Sequence, residues 1–416
     1  MFNRLKNFFS SSVGQIFLAA FFLRVFLAPL FFHPDTKTNY YNSHFLSLGV
    51  VNIYEFLAKN PDKAFLGEFS YPPLTYFFYG LLYYPLKVVL GPDFLNWLAM
   101  GNDAVAVPNI FRYLFFMKVP LFFFEFFVGF LITKILKDEK EIKRALLFWF
   151  FNPANIYAIT FMGQFDIIPT FLSVLALYLV VNKRKAILGA IALGLGGALK
   201  TYPLLLLPFL SVISTKGIWK QFKVFILGLF PYLLFVLPFL KSVSFRQSSF
   251  VSGLSQRLFI LNLSIGFEEQ ILLVIFSLVL LFLIADWKKE VGESLSGYFL
   301  AVPLIVLAGS HFHPQWLIWI TPFLALSVGK CKKLLLPSAI LLTGWLGTVV
   351  LFNDKFLTWG LFSPFDPGIF FLPPLRDLIA DFFSPVLLQS LFHTLFAACA
   401  IWISILVITG KLNEKS

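Results

Sequence analysis

Charge is what this chain has least of. Asp, Glu, Lys and Arg make up 13% of its 416 residues, whereas about 25% is usual for soluble domains. With 59% hydrophobic residues and a mean hydropathy of +0.83, too little polar surface exists to keep a globule in water. That excludes a soluble enzyme or binding module and leaves an all-α polytopic membrane protein, most of it in lipid. Cysteine is nearly absent. Cys331 lies beside the run 313–329 and Cys399 within the run 388–409, far apart in the chain, which excludes a disulfide framework and a cysteine-based metal cluster. Acids are the scarcer sign, 21 against 33 basic residues. The basic residues are scattered through short loops and form no stripe, so the net charge of +12 implies no nucleic-acid partner. No small-residue cleavage site follows the first apolar run, 13–32, so it reads as a retained helix and not a signal peptide.

Apolar runs long enough to cross a bilayer lie near 13–32, 111–133, 144–160, 166–181, 186–199, 202–214, 218–240, 270–286, 297–310, 313–329, 333–352 and 388–409. The stretch Pro72–Leu90 is a further candidate. Lys and Arg gather on the cytoplasmic side of membrane proteins. Here 20 of the 33 basic residues fall at the N-terminus (Arg4, Lys6), in 134–144, 183–185 and 216–223, at Lys288 and Lys289, in 330–333, and at Lys411 and Lys415. All share one side only if Pro72–Leu90 does not cross. It is therefore expected to be an external juxtamembrane helix, with Tyr71, Tyr76, Tyr79, Tyr83 and Tyr84 suited to interfacial depth. The expected architecture is a single integral membrane domain over 1–416 with about 12 transmembrane helices and both termini cytoplasmic. The first external loop is 33–110, with its interfacial helix at 72–90, and the last is 353–387.

This orientation sends the remaining polar stretches to the outer face. The first helix exits into FFHPDTKTNYYNSHFLSLGVVNIYEFL, where Asp35 could act as a general base or merely cap the next helix. In FNPANIYAITFMGQFDIIPTF, Gln164 and Asp166 suit sugar hydroxyls, while Asp166 equally suits an N-cap. Lys200, ahead of Thr201 and Tyr202, could hold a lipid phosphate or snorkel to the surface. In HFHPQWLIWITPFLAL, His311 and His313 stand two apart, which puts them on different helical faces and argues against a zinc site. Trp316 and Trp319 read as interfacial aromatics first and sugar platforms second. The glycines at 189, 194, 196 and 197 point to close helix packing. Arg24, Lys118 and Glu125 lie within spans and are expected to form structural ion pairs.

Taken together, HPD with Tyr40 and Tyr41, Gly49, Tyr54, YPPLTYFFYGLLYYPL, FNPANIYAITFMGQFD, LKTYPLLLLP and HPQWLIWITPFL resemble the GT-C superfamily of polytopic glycosyltransferases that use polyprenyl-phosphate sugars. The nearest likeness is to polyprenol-phosphate-mannose-dependent mannosyltransferases and to GPI-anchor first mannosyltransferases, and it covers roughly 13–330. The resemblance implies a GT-C-like bundle and inverting transfer of a hexose such as mannose at the outer face. No cofactor is required, and divalent metal has at most a weak effect. It implies that Asp35 takes the acceptor proton, that Lys200, Tyr202 and His313 hold the donor phosphate, and that Gln164, Asp166, Gln315, Trp316 and Tyr71 contact sugar or acceptor. Many eukaryotic relatives carry paired acids in the first loop, whereas Asp35 is followed by Thr36 and Lys37, so no two-carboxylate metal site is expected there.

The implied partners are the polyprenyl-phosphate sugar, membrane lipids, and a lipid, glycan or protein acceptor, in what would be a prokaryotic plasma membrane. The main rival is a lipid or solute transporter or flippase. Transporters usually place polar groups at mid-membrane and carry internal repeats, and neither feature is evident here. A catalytically silent membrane scaffold subunit is the second rival.

Overall fold

A computed structural model describes residues 10–64, 67–251, 255–288 and 293–411. Arg4, Lys6, Lys289 and Lys415, counted above with the basic loops, lie outside the described residues. Helices of ten residues or more are numbered here in chain order. They are α1 (Ser12–Leu27), α2 (Pro34–His44), α3 (Pro73–Leu90), α4 (Ile110–Ile135), α5 (Glu139–Phe151), α6 (Ile167–Val181) and α7 (Ala186–Leu199), followed by α8 (Ile218–Val236), α9 (Leu273–Lys288), α10 (Glu293–Ala308), α11 (Thr321–Lys330), α12 (Leu335–Val350) and α13 (Pro385–Thr409). The strands among the described residues form a short antiparallel hairpin, Asn262–Ser264 with Gln270–Leu272.

Five stretches are long and apolar enough to cross a membrane: Ser12–Leu30, Ile110–Ile135, Ile218–Phe239, Lys332–Val350 and Pro385–Thr409. Shorter apolar helices run over Ile167–Val181, Ala186–Leu199, Tyr202–Ser214 and Ser294–Ala308. The chain is an all-α integral membrane protein at this level. Half of the apolar window of α4 is buried, against 22% at either end of the chain, which puts α4 at the centre and α1 and α13 on the rim. The exposed face of α8 is a run of Trp219, Phe222, Ile226, Phe230, Leu234 and Leu237 at three- and four-residue spacing. Such an uncovered apolar stripe is suited to hydrocarbon and not to water. α7 and α8 pack so closely that a Cβ at Gly194 would collide with the carbonyl oxygen of Gly228, the packing role expected of the glycines.

Several expected crossings are not continuous α-helices, and two of them bear on the site. The stretch 144–160 breaks at Asn152, whose extended backbone precedes Pro153, and then widens into a π-helix over Ile156–Phe161. The stretch 313–329 opens as a 3-10 turn, Pro314–Trp319, before α11. Irregular backbone in a membrane protein persists where it lines a cavity or is covered by protein. Both irregular stretches face the site described below.

The basic loops meet at one end of the bundle. Asn182 donates to the carbonyl of Lys134 at 3.0 Å, and Arg144 donates to that of Gly329 at 3.0 Å. Arg184 and Lys185 share a cavity with Lys220 and Lys223. The opposite end holds α2, α3 and the polar turns.

The tyrosines of α3 differ from expectation. Tyr76, Tyr79 and Tyr83 are each 1% exposed and face the protein, with Tyr79 edge-on to Tyr40. Of the expected interfacial set, Tyr84 is the exposed one. The helix is two-faced in the opposite sense: its tyrosines pack inward on α2, and Leu81, Val88 and Val89 point away. Thr75 anchors it by donating to the carbonyl of Leu199 at 2.6 Å.

Of the charges within spans, Arg24 and Glu125 form the structural ion pair expected, and Lys118 departs from that expectation. Arg24 and Glu125 pair at 2.5 Å with both side chains fully buried, and Arg24 also donates to the Phe150 carbonyl at 2.6 Å. Lys118 joins no carboxylate. Its ammonium donates to the carbonyls of Ala28 (2.9 Å), Phe31 (2.6 Å) and Phe161 (3.0 Å). A helix end inside a membrane protein leaves carbonyls without partners, and a buried cation satisfies three of them at once.

Candidate functional site

The Lys118 clamp fixes two segments against each other: the exit of α1 and the end of the π-helix. Just beyond each lies a polar turn, His33-Pro34-Asp35 on one side and Gly163-Gln164 on the other. Thr36 stitches them together, its hydroxyl donating to the carbonyls of Met162 (2.6 Å) and Gly163 (3.2 Å). Gly163 sits at φ +66°, and a Cβ there would lie 2.6 Å from the Thr36 hydroxyl. Gly163→Ala is therefore expected to lower stability by about 1–3 kcal/mol, read as a lower melting temperature in detergent. An unchanged melting temperature would show that the turn relaxes freely.

With Thr36 and the buried Lys37 turned inward, the latter donating to the Met100 carbonyl, Asp35 alone of this trio keeps its side chain partly exposed. Its side chain keeps 40% exposure while Gln164 donates to it at 2.9 Å. The ring of His33 lies 3.8 Å from the carboxylate and accepts the Asp35 N–H, so His33 caps α2. The alternative role for Asp35, capping the next helix, is thereby taken by its neighbour. Burial pushes the Asp35 carboxyl up, but His33, His313, the Gln164 hydrogen bond and Lys200 together outweigh it and hold the group below its usual value. The His313 ring sits beside this group with Nδ1 against the Gln315 side-chain oxygen.

Asp166 stands at the N-cap position of α6 but makes no side-chain cap there. Its carboxylate is wholly buried, bound by Lys200 at 2.7 Å and by the Trp319 indole N–H at 2.7 Å. Neither role considered for Asp166, cap or sugar ligand, matches this placement. Lys200, considered as a phosphate partner or a snorkelling lysine, has its charge matched by Asp166. The ammonium lies 5.3–5.7 Å from the ring centres of Tyr71, Phe165, Trp316 and Trp319. Tyr202 points its hydroxyl at Thr170 (2.8 Å) and lays its ring on Trp319 at 4.3 Å, so it forms wall and not donor.

Trp319 in turn stacks on Trp316 at 4.8 Å, and the Arg257 guanidinium caps the column 5.3 Å from Trp316. Arg257 donates to the His311 carbonyl at 2.9 Å and is in no ion pair among the described residues. It was not singled out from sequence, because it lies in a loop with no motif around it. Asp354 was missed as well. It sits two residues beyond the apolar run ending at Phe352, the same pattern that drew attention to Asp35. Burial, opposed by the Phe356 N–H and by His33 but assisted by Asp35, raises its carboxyl above the usual value. Its loop folds back onto the α1 exit, where the Phe32 N–H donates to the Leu361 carbonyl at 2.9 Å.

The structure thus brings Asp35, Gln164, His313, Gln315, Lys200, Asp166, Tyr71 and Trp316 to one end of the bundle. Among the described residues, no group of three or more His, Cys, Asp or Glu is placed to hold a metal ion. No protein-family model matches the chain, and no curated protein matches it significantly.

Proposed function

We propose that the chain is an inverting membrane glycosyltransferase that moves a hexose from a polyprenyl-phosphate donor to an acceptor hydroxyl, on a GT-C-like bundle. The observation that carries this reading is the partly exposed Asp35 carboxylate, oriented by Gln164 and set at the same end of the fold as an aromatic column capped by Arg257.

In the proposed reaction the acceptor oxygen attacks the anomeric carbon from the side opposite the phosphate. Its proton passes to the Asp35 carboxylate, the bond from carbon to phosphate oxygen breaks, and the electron pair leaves with the polyprenyl phosphate. The product phosphate carries one more negative charge than the donor. Arg257 is the cation without a carboxylate partner that faces it, and the Lys200–Asp166 pair acts as a fixed dipole behind the rings.

Support for about twelve crossings, with Pro73–Leu90 lying along the outer interface, comes from the repeated passage of the chain between the basic end and the site end. The basic end then faces the cytoplasm, and the site faces outward.

The test is incubation of purified protein with polyprenyl-phosphate mannose, glucose or arabinose and a membrane-extract acceptor, followed by mass analysis of products. Transfer of one sugar supports the reading. Movement of labelled donor across vesicle bilayers with no transfer would replace it by a flippase. Arg257→Gln should lower kcat/KM for the donor by about 10- to 100-fold, the worth of a hydrogen bond to a charged group. Unchanged kcat/KM would place the phosphate elsewhere.

A further inference from the structure

At the end of the molecule opposite Asp35, a cavity of about 480 Å³ lies between the start of α7 and the start of α8. Its polar lining is Arg184, Lys185, Lys220, Lys223 and Thr215, and no acid lines it. None of these four cations is ion-paired among the described residues. That sets them apart from Arg24 on Glu125, Lys200 on Asp166 and Lys143 on Glu139. Four like charges around one hollow repel one another until an anion enters.

Two features of the backbone add to this. Arg184 has φ +57°, the one non-glycine residue with positive φ among the described residues, a conformation that disfavours an arginine unless something retains it. α7 opens with no side-chain cap and no acid in its first turn, and the cavity is lined by its first residues, Ala186, Ile187 and Leu188.

We propose that this cavity is a headgroup site for an anionic phospholipid of the leaflet at the basic end. The volume lies within the range of small-molecule sites. The surroundings select a lipid over a soluble anion: Ile187, Leu188, Ile218 and Trp219 flank the charges and are exposed, Trp219 to 81%. A free phosphate has no use for these side chains. Acyl chains beside a bound headgroup cover them, and an interfacial tryptophan belongs at that depth.

The test uses the full chain in detergent, titrated with phosphatidylglycerol, phosphatidylcholine or inorganic phosphate, with bound lipid counted by native mass spectrometry. Phosphatidylglycerol should bind the native chain and the Lys332→Gln/Lys333→Gln variant alike. It should bind Lys220→Gln/Lys223→Gln about 30-fold more weakly, since each basic residue near an anionic lipid surface contributes about a factor of five. Lys220 and Lys223 are exposed, so a matched melting temperature checks that the variant folds. Equal phosphatidylglycerol affinity in both double variants, or equal retention of phosphatidylcholine, overturns the site. Displacement of the lipid by inorganic phosphate at matched concentration overturns the lipid as its occupant.

Discussion

Replacing Asp35 with asparagine should lower sugar transfer by about 10²- to 10⁴-fold, the usual contribution of a positioned general base, while the protein folds and melts as before. Asparagine keeps the shape of the side chain, and its oxygen still accepts from Gln164. What it loses is the ability to take a proton. Because the native side chain is 40% exposed, no buried charge is stranded by the change. Donor affinity should also persist, since the cation and the stacking rings are untouched.

The pH profile gives a second readout. The base must be ionised, and the Asp35 carboxyl is held below its ordinary value. Transfer should therefore stay level as pH falls from 7 through the normal carboxylate range and fail only below it. Full activity in Asp35→Asn, or a loss centred well above the carboxylate range, would remove Asp35 from the proton-transfer step.

Glu125→Leu should have the largest effect on folding. It would leave Arg24, fully buried, without its counter-charge, at a cost of about 3–5 kcal/mol. The expected result is little folded protein after size-exclusion chromatography in detergent, or a sharply lower melting temperature. The double variant Arg24→Leu/Glu125→Leu should recover most of the loss, because removing both charges removes the desolvation penalty of each. The Phe150 carbonyl, an acceptor of Arg24, limits how complete that recovery is. A double variant as poor as the single one would show that the pair does more than balance charge.

Membrane character, helical class and the gathering of polar turns were legible in the sequence because each is a property of local composition. An apolar run reports its own burial, and lysines in short loops report which loops share an end of the bundle. Partner choice was not legible. Lys118 and Glu125 stand seven apart on one helical face, yet Lys118 bonds carbonyls of the α1 exit and the π-helix while Glu125 bonds Arg24. Periodicity shows which residues share a face and says nothing of what lies across from it. The same limit applies to Lys200, whose match with Asp166 depends on how two turns 34 residues apart come together. The α3 tyrosines show a different limit. Their amphipathic pattern fits either lipid headgroups or a polar protein core, and the inward packing on α2 decided between them. Arg257 and Asp354 carry no motif, so nothing short of three dimensions brings them to the Asp35 end.

The Lys118 ammonium has a mechanical consequence. By tying the carbonyls of Ala28, Phe31 and Phe161 it welds two strokes of the chain into a single block carrying both Asp35 and Gln164. Such a block behaves as an anvil: its two working groups keep their spacing whatever approaches. Under the proposed function, any give needed to admit the donor's lipid tail then falls to other parts of the site end, such as the largely exposed stretch that carries Arg257 and the small hairpin.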